Sequence, residues 1–223
     1  MQAVTTRRKT RSASASRTSR RTVTSKRIRH RLPPARRAEQ LLDVAERLFA
    51  AQGFRATSIE QIAQESGVTR PVVYDRFGGK DGIYLACLRR ARHQLEESMF
   101  GEVARTGDSL KRLRAGADAY FGFVESSPQR WRVLFGGGAS VSGDVADEAM
   151  RLRFETEKQI ADWLGTVTPK ADDQSLAALA HAIGGASHQL AQWWLRNPGI
   201  AKQRIVDYFV KFSWPAIREL TRS

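Results

Sequence analysis

The stretch that most constrains this chain is residues 57–80, Thr-Ser-Ile-Glu-Gln-Ile-Ala-Gln-Glu-Ser-Gly-Val-Thr-Arg-Pro-Val-Val-Tyr-Asp-Arg-Phe-Gly-Gly-Lys. It reads as two short helices joined by a tight turn. Thr57 is placed to N-cap the first helix, and Glu60 three residues on would close a capping box. Ile59, Ile62 and Ala63 give that helix one apolar face. Gly67 supplies the sharp turn. Thr69 can cap the second helix, and Pro71 falls in its first turn, where a missing N–H costs little. Val68, Val73 and Phe77 then point inward, leaving Arg70, Pro71, Val72, Tyr74, Asp75 and Arg76 on the outer side. A compact pair with a polar outward second helix has the shape a DNA major groove accepts. Taken alone, the segment fits an ordinary helical hairpin equally well.

The flanks decide between these readings. Upstream, Leu41, Ala45, Leu48 and Phe49 form a helical stripe that Gly53 ends in the C-cap manner. Downstream, Gly78-Gly79-Lys80-Asp81 opens another helix. Residues 36–88 thus carry an Arg, Ala45-x-x-Leu48-Phe49, Gly53-Phe54, Thr57-Ser58 with Ile62-Ala63, Gly67-Val68-Thr69, Tyr74-x-x-Phe77 and Lys80. In this ordered pattern the segment resembles the DNA-binding domain of the TetR family of bacterial transcriptional regulators. The remainder resembles the family only in being helical and of suitable length.

The resemblance implies roles for named residues. Thr57, Thr69, Tyr74 and Lys80 would contact phosphates, helped by the free N–H groups of helix N-termini. Arg70, Pro71 and Val72 would read bases, Arg70 by a bidentate contact to guanine and the other two by apolar contact. Arg76 would reach a phosphate. Asp75 departs from the family, which often has an aromatic or His there; it can pair with Arg76 or Arg70, or accept from cytosine.

Charge is distributed unevenly. The 223-residue chain has a formal net charge of +14. Residues 1–37 hold 13 of the Lys and Arg side chains and no acid, so the rest is close to neutral. Residues 1–32 have almost no large apolar side chains and are expected to form a disordered basic arm lying along phosphates or in a minor groove. A downstream start codon or an organellar transit peptide are the competing readings of that arm; no apolar h-region makes it a secretory signal. No apolar run approaches the ~20 residues of a membrane helix. Cys87, the only cysteine, fits a small core residue and a reducing, cytoplasmic location.

Past residue 88 the pattern is helical throughout, with breaks near Gly101–Asp108, Ser126-Ser127-Pro128, Gly136-Gly137-Gly138, Pro169–Asp173 and Asn197-Pro198-Gly199. Pro215 is expected to kink or split the last helix. The expected fold is all-α with about nine helices: a helix-turn-helix domain over 33–88 and a larger helical domain for ligand binding and dimerisation over 89–223. Stripes on the last two long helices, the adjacent Trp193 and Trp194, and the small patch Gly184–Ser187 read as an interface with a second copy. The family generally holds a ligand cavity in this domain. Tyr120, Trp131, Phe154, His188 and Trp194 are the candidates for its wall. The run Tyr120–Glu125 with Pro128-x-x-Trp131-Arg132-x-Leu134-Phe135 is similar to actinobacterial members, some of which sense fatty acyl thioesters; an aromatic ligand fits nearly as well.

No catalytic or cofactor pattern emerges. His181 and His188 lie two helical turns apart, about 10 Å along the axis, too far for one metal. The expected function is a homodimeric, ligand-responsive repressor released from a palindromic operator by a hydrophobic small molecule. The alternative is a sequence-tolerant, nucleoid-type binder dominated by the basic arm.

Overall fold

The computed structural model describes residues 33–103, 108–136 and 143–220. The expected arm over 1–32 and the glycines at 137 and 138 lie outside the described residues. Those described form nine helices and no strand: α1 (Pro34–Ala56), α2 (Ile59–Glu65), α3 (Arg70–Phe77), α4 (Lys80–Val103), α5 (Ser109–Ser126), α6 (Pro128–Phe135), α7 (Asp144–Val167), α8 (Asp173–Leu195) and α9 (Lys202–Leu220).

Local chemistry sets most of these boundaries. Pro34 opens α1, where its missing N–H is harmless. Gly53 breaks the helical path at φ 79°, and one further turn follows it to Ala56. Ser58, not Thr57, caps α2: its side chain accepts the Gln61 N–H. The expected capping box was one residue out of frame, because Ser58-x-x-Gln61 satisfies the same pattern as Thr57-x-x-Glu60. Asp108 and Asp172 cap α5 and α8 through their carboxylates. Pro215 does not split the last helix; α9 continues through it to Leu220. Fully buried Ile217 beyond the proline and buried Val210 and Ser213 before it fix the chain on both sides.

α1 to α3 form a three-helix unit, with α3 also packed against the start of α4. α6 lies across α1 and α4, α5 packs on α4 and α9, and α7 pairs with α8. Leu41, Ile62, Val73, Ile83 and Leu88 are fully buried at the N-terminal end; Phe121, Leu134, Leu164 and Ile205 are fully buried in the C-terminal helices. The expected boundary at residue 88 falls inside α4, which runs unbroken from the helix-turn-helix unit into the larger helical domain. The described residues belong to a single compact unit, Pro33–Ser223. Gly184 sits where a Cβ would come within 3.2 Å of Glu157 Oε1, so its close approach is to α7 of the same chain.

A candidate DNA-reading face and a cavity behind it

α3 presents its outer face to solvent. Arg70, Pro71, Asp75 and Arg76 are exposed, and Tyr74 keeps 46% of its surface. Thr69 is exposed at the N-cap position and its side chain makes no cap hydrogen bond, so its hydroxyl is available. Arg70 pairs with Glu60 of α2, each more than half exposed. Asp75 therefore does not hold Arg70 as one expectation had it. Val72 departs from its expected outward position: it is half-buried and packs on the core, because α3 is short and wedged against α2 and α4.

Two expected phosphate contacts are placed otherwise. Thr57 is 1% exposed. Its hydroxyl donates to the Gly53 carbonyl at 2.8 Å and accepts from Gln52 Nε2 at 3.2 Å. It locks the α1–α2 corner and is not presented to a phosphate. Lys80 donates to the Arg55 carbonyl at 3.2 Å, with Nζ 4.4 Å from the centre of the Phe54 ring. Burial lowers its pKa, against the opposing pull of Asp81. Lys80 thus ties the start of α4 to the end of α1, holding α3 between them. Gly78 in the left-handed region at φ 74° makes the α3–α4 corner.

A charged knot joins this unit to the helices behind it. Glu46 of α1 is 3% exposed. It accepts from Arg90 of α4 at 2.7 Å and from Arg130 of α6 at 2.9 Å. Arg90 also reaches Glu39 at 2.7 Å and Asp43 at 2.9 Å. Burial alone would lower the Arg90 pKa, but the Glu46 hydrogen bond and the surrounding carboxylates raise it. In sequence Glu46 is one of several charged residues of α1, and nothing local reveals its partners, which lie 44 and 84 residues away.

Among α5, α7 and α8 lies a cavity of about 600 Å³, lined also by Met99 of α4, Phe135 of α6 and Phe209 of α9. Its size falls within the range of small-molecule sites. Of the five expected wall residues, Tyr120 and His188 line it. Trp131 and Trp194 stand one layer behind. Trp131 Nε1 donates to the Tyr120 hydroxyl at 2.9 Å and its ring lies against Phe135 and His188. Trp194 Nε1 donates to the Ile200 carbonyl at 2.7 Å and its ring meets Phe121 edge-on. Phe154 is 51% exposed and turned away. Trp163, Gln159 and Glu157 line the cavity unforeseen. They sit on α7, whose apolar residues include both the exposed Met150 and Phe154 and the buried Leu164, so its inward face is not legible from pattern alone.

Part of the cavity wall is polar. The buried Tyr120 hydroxyl also bonds Ser187, and burial raises its pKa well above the ordinary tyrosine range. Burial likewise raises the Glu157 pKa, with His181 and Arg92 pulling it down. Among the described residues no group of three or more His, Cys, Asp or Glu side chains could hold a metal ion. No helix among them is long and apolar enough to cross a membrane.

Known proteins share this arrangement. Residues 41–87 match the N-terminal profile of bacterial regulatory proteins of the tetR family, and residues 110–216 match a Tetracyclin repressor-like C-terminal domain. The HTH-type transcriptional activator FasR of Mycolicibacterium smegmatis is 31% identical over 87% of this chain and 90% of its own length. A TetR-like transcriptional regulator from Rhodococcus sp. RHA1 superimposes with a TM-score of 0.70 at 25% identity, covering 84% of this chain and 99% of that one. AibR, solved with isovaleryl coenzyme A and operator DNA, has a TM-score of 0.68 at 18% identity, over 80% of this chain and 98% of its own, a likeness of fold. Proteins of this kind regulate transcription by binding DNA and are not enzymes. A helix-turn-helix unit with an exposed α3, carried on a larger helical domain and matched by both family profiles, makes this chain a member of the TetR family of bacterial transcriptional regulators.

Proposed function

We propose that this DNA-binding regulator is a homodimer that reads a palindromic operator through α3 and is released from it by a hydrophobic small molecule held in the cavity. The observation that carries this reading is the course of α4. Met99 near its end lines the cavity, while the Tyr84 ring near its start packs edge-on against Phe49 and tilted against Phe54 of α1, and Lys80 secures the corner beside α3. A ligand that shifts α4 at one end therefore shifts α3 at the other. Thr69, Arg70, Pro71, Tyr74, Asp75 and Arg76 form the reading face, with Arg70 the main base reader. A division of labour follows, with residues 33–88 binding DNA, residues 89–223 sensing and pairing, and residues 1–32 adding phosphate contacts. Such a protein works beside bacterial DNA, in the cytoplasm.

The exposed Trp193, Tyr208 and Phe212 on α8 and α9 are the surface proposed for the second copy. Its two-fold symmetry would match that of the operator. We propose repression as the sign, although the relative FasR is named an activator; a reporter fused to the operator distinguishes the two. Fatty acyl thioesters and aromatic compounds are the effector classes the apolar wall suits best. AibR, a fold neighbour, was solved with an acyl-coenzyme A.

The cavity's role is tested by filling it. Ala117 lines the cavity and is 4% exposed, so Ala117→Trp projects an indole into it. The variant should alter the affinity for duplexes selected from a random pool by roughly 5- to 150-fold, the usual span of such coupling. A folded variant with unchanged DNA affinity contradicts the reading.

A further inference from the structure

The cavity wall is not chemically uniform. Six buried side-chain N or O atoms among the described residues have no hydrogen-bond partner, and three of them belong to wall residues on α7: Glu157 Oε2, Gln159 Oε1 and Trp163 Nε1. A buried polar atom without a partner costs stability, more so if charged, so it is retained where something completes it. Residues 157 to 163 span about 9 Å of the α7 axis, and all three line the cavity. Two are acceptors, and the carboxylate lies near Tyr120 with its other oxygen against Gly184.

Glu157 has a cationic neighbour that does not satisfy it. Arg92 of α4 gives its Nε to Glu96 at 2.7 Å and one terminal nitrogen to the Leu152 carbonyl at 2.9 Å. His181 of α8 faces Glu157 electrostatically but is exposed. The carboxylate is left with one oxygen without a partner, and the second terminal nitrogen of Arg92 is likewise without one.

We propose that the Glu157 end of the cavity is a subsite for a hydrogen-bond donor, so that the effector is an apolar molecule carrying a hydroxyl or ammonium group there, and not a free carboxylate. The inference rests on the reading of the cavity as the effector site and narrows its ligand class. A donor fills the open lone pair of Glu157, with Tyr120 and Ser187 available as further partners. A second carboxylate in the same place meets like charge. Trp163 Nε1, one to two turns along α7, then waits for an acceptor in the body of the ligand.

The test uses the full chain and three probes with the same apolar tail: 1-octanol, octylamine and octanoate at neutral pH. Binding is read from intrinsic tryptophan fluorescence and from thermal shift. Octanol and octylamine should bind at least ~10-fold more tightly than octanoate, the discrimination one hydrogen bond to a charged group supplies. Glu157→Gln should lose the octylamine preference and keep part of the octanol preference. Glu157→Leu should bind all three alike. Circular dichroism confirms that each variant is folded, and the wild-type ranking stands by itself if one is not. Equal binding of the three probes by the wild type overturns the inference and leaves the cavity reading intact, as would be found if Arg92 swung across to Glu157. A preference that survives in a folded Glu157→Leu also overturns it. No binding of any probe overturns both the inference and the cavity reading.

Discussion

Removing Glu46 should unfasten the α1–α4–α6 junction, and its cost can be set from the surroundings. The Glu46 side chain is 4% exposed, and its partners Arg90 and Arg130 are 15% and 27% exposed. Removing one partner of a buried ion pair costs roughly 3–5 kcal/mol because a charge is left buried and unpaired. Here the loss is softened, since Arg90 keeps Glu39 and Asp43 and Arg130 keeps Gln94. For Glu46→Ala we therefore expect a loss of about 2–3 kcal/mol. For a chain of this size that is a fall of roughly 5–10 °C in melting temperature. Arg47→Ala provides the contrast on the next residue. Its ion pair with Glu65 is 49% and 33% exposed, and exposed pairs contribute about 0–1 kcal/mol. Thermal melts followed by circular dichroism compare the two. Equal, small shifts for both variants would refute the argument that burial makes Glu46 the fastening point.

Three further outcomes follow. Gly82→Ala should destabilise the α3–α4 corner by ~1–3 kcal/mol and weaken DNA binding, because a Cβ there runs into the Phe77 backbone carbonyl; a variant with wild-type melting and affinity contradicts the packing described. Phe212→Glu places a charge on a side chain that is 64% exposed on the face proposed for the second copy, and sedimentation should show a monomer that still melts cooperatively; an unchanged mass sinks that interface. The raised Glu157 pKa carries a pH signature. As pH rises past the ordinary glutamate range near ~4.3, the unfolded chain gives up this proton while the folded chain still holds it, so folding loses stability. Arg92 and His181 pull the other way and moderate the effect, with the Tyr120 hydroxyl also near the group. The stability of Glu157→Gln relative to wild type should accordingly rise as pH passes upward through the ordinary glutamate range; a flat difference contradicts the burial of this carboxylate.

The helices were legible because their signals are local. Gly53 and Gly67 adopt positive φ where the sequence had placed a stop and a turn, and the expected breaks at Ser126-Ser127-Pro128 and Pro169–Asp173 coincide with the α5–α6 and α7–α8 connections. Thr57 and Ser58 show where such signals fail. Two adjacent hydroxyl residues satisfy the same pattern, and only the fold decides which one caps and which is buried. Pro215 shows the reverse, a local breaker overridden by the burial of Ile217 and Ser213. The cavity wall was least legible. Trp131 and Trp194 are large and buried, as wall residues also are, yet they lie behind Tyr120 and Phe121. Glu157 and Gln159 carried no sign of facing inward, because a polar residue on a helix reads as surface until its neighbours are known.

The central claim is that α3 reads sequence through Arg70. Its most direct measurement is fluorescence anisotropy of the full chain on the duplex upstream of its own gene and on a scrambled duplex, at ~150 mM salt, for the wild type and Arg70→Ala. The account predicts a preference of at least ~10³ for the first duplex in the wild type. Arg70→Ala should lose about 1–3 kcal/mol of that discrimination; the exposed pairing with Glu60 costs little to break in the free protein. Equal affinity of the wild type for both duplexes, or discrimination untouched by Arg70→Ala, would contradict it.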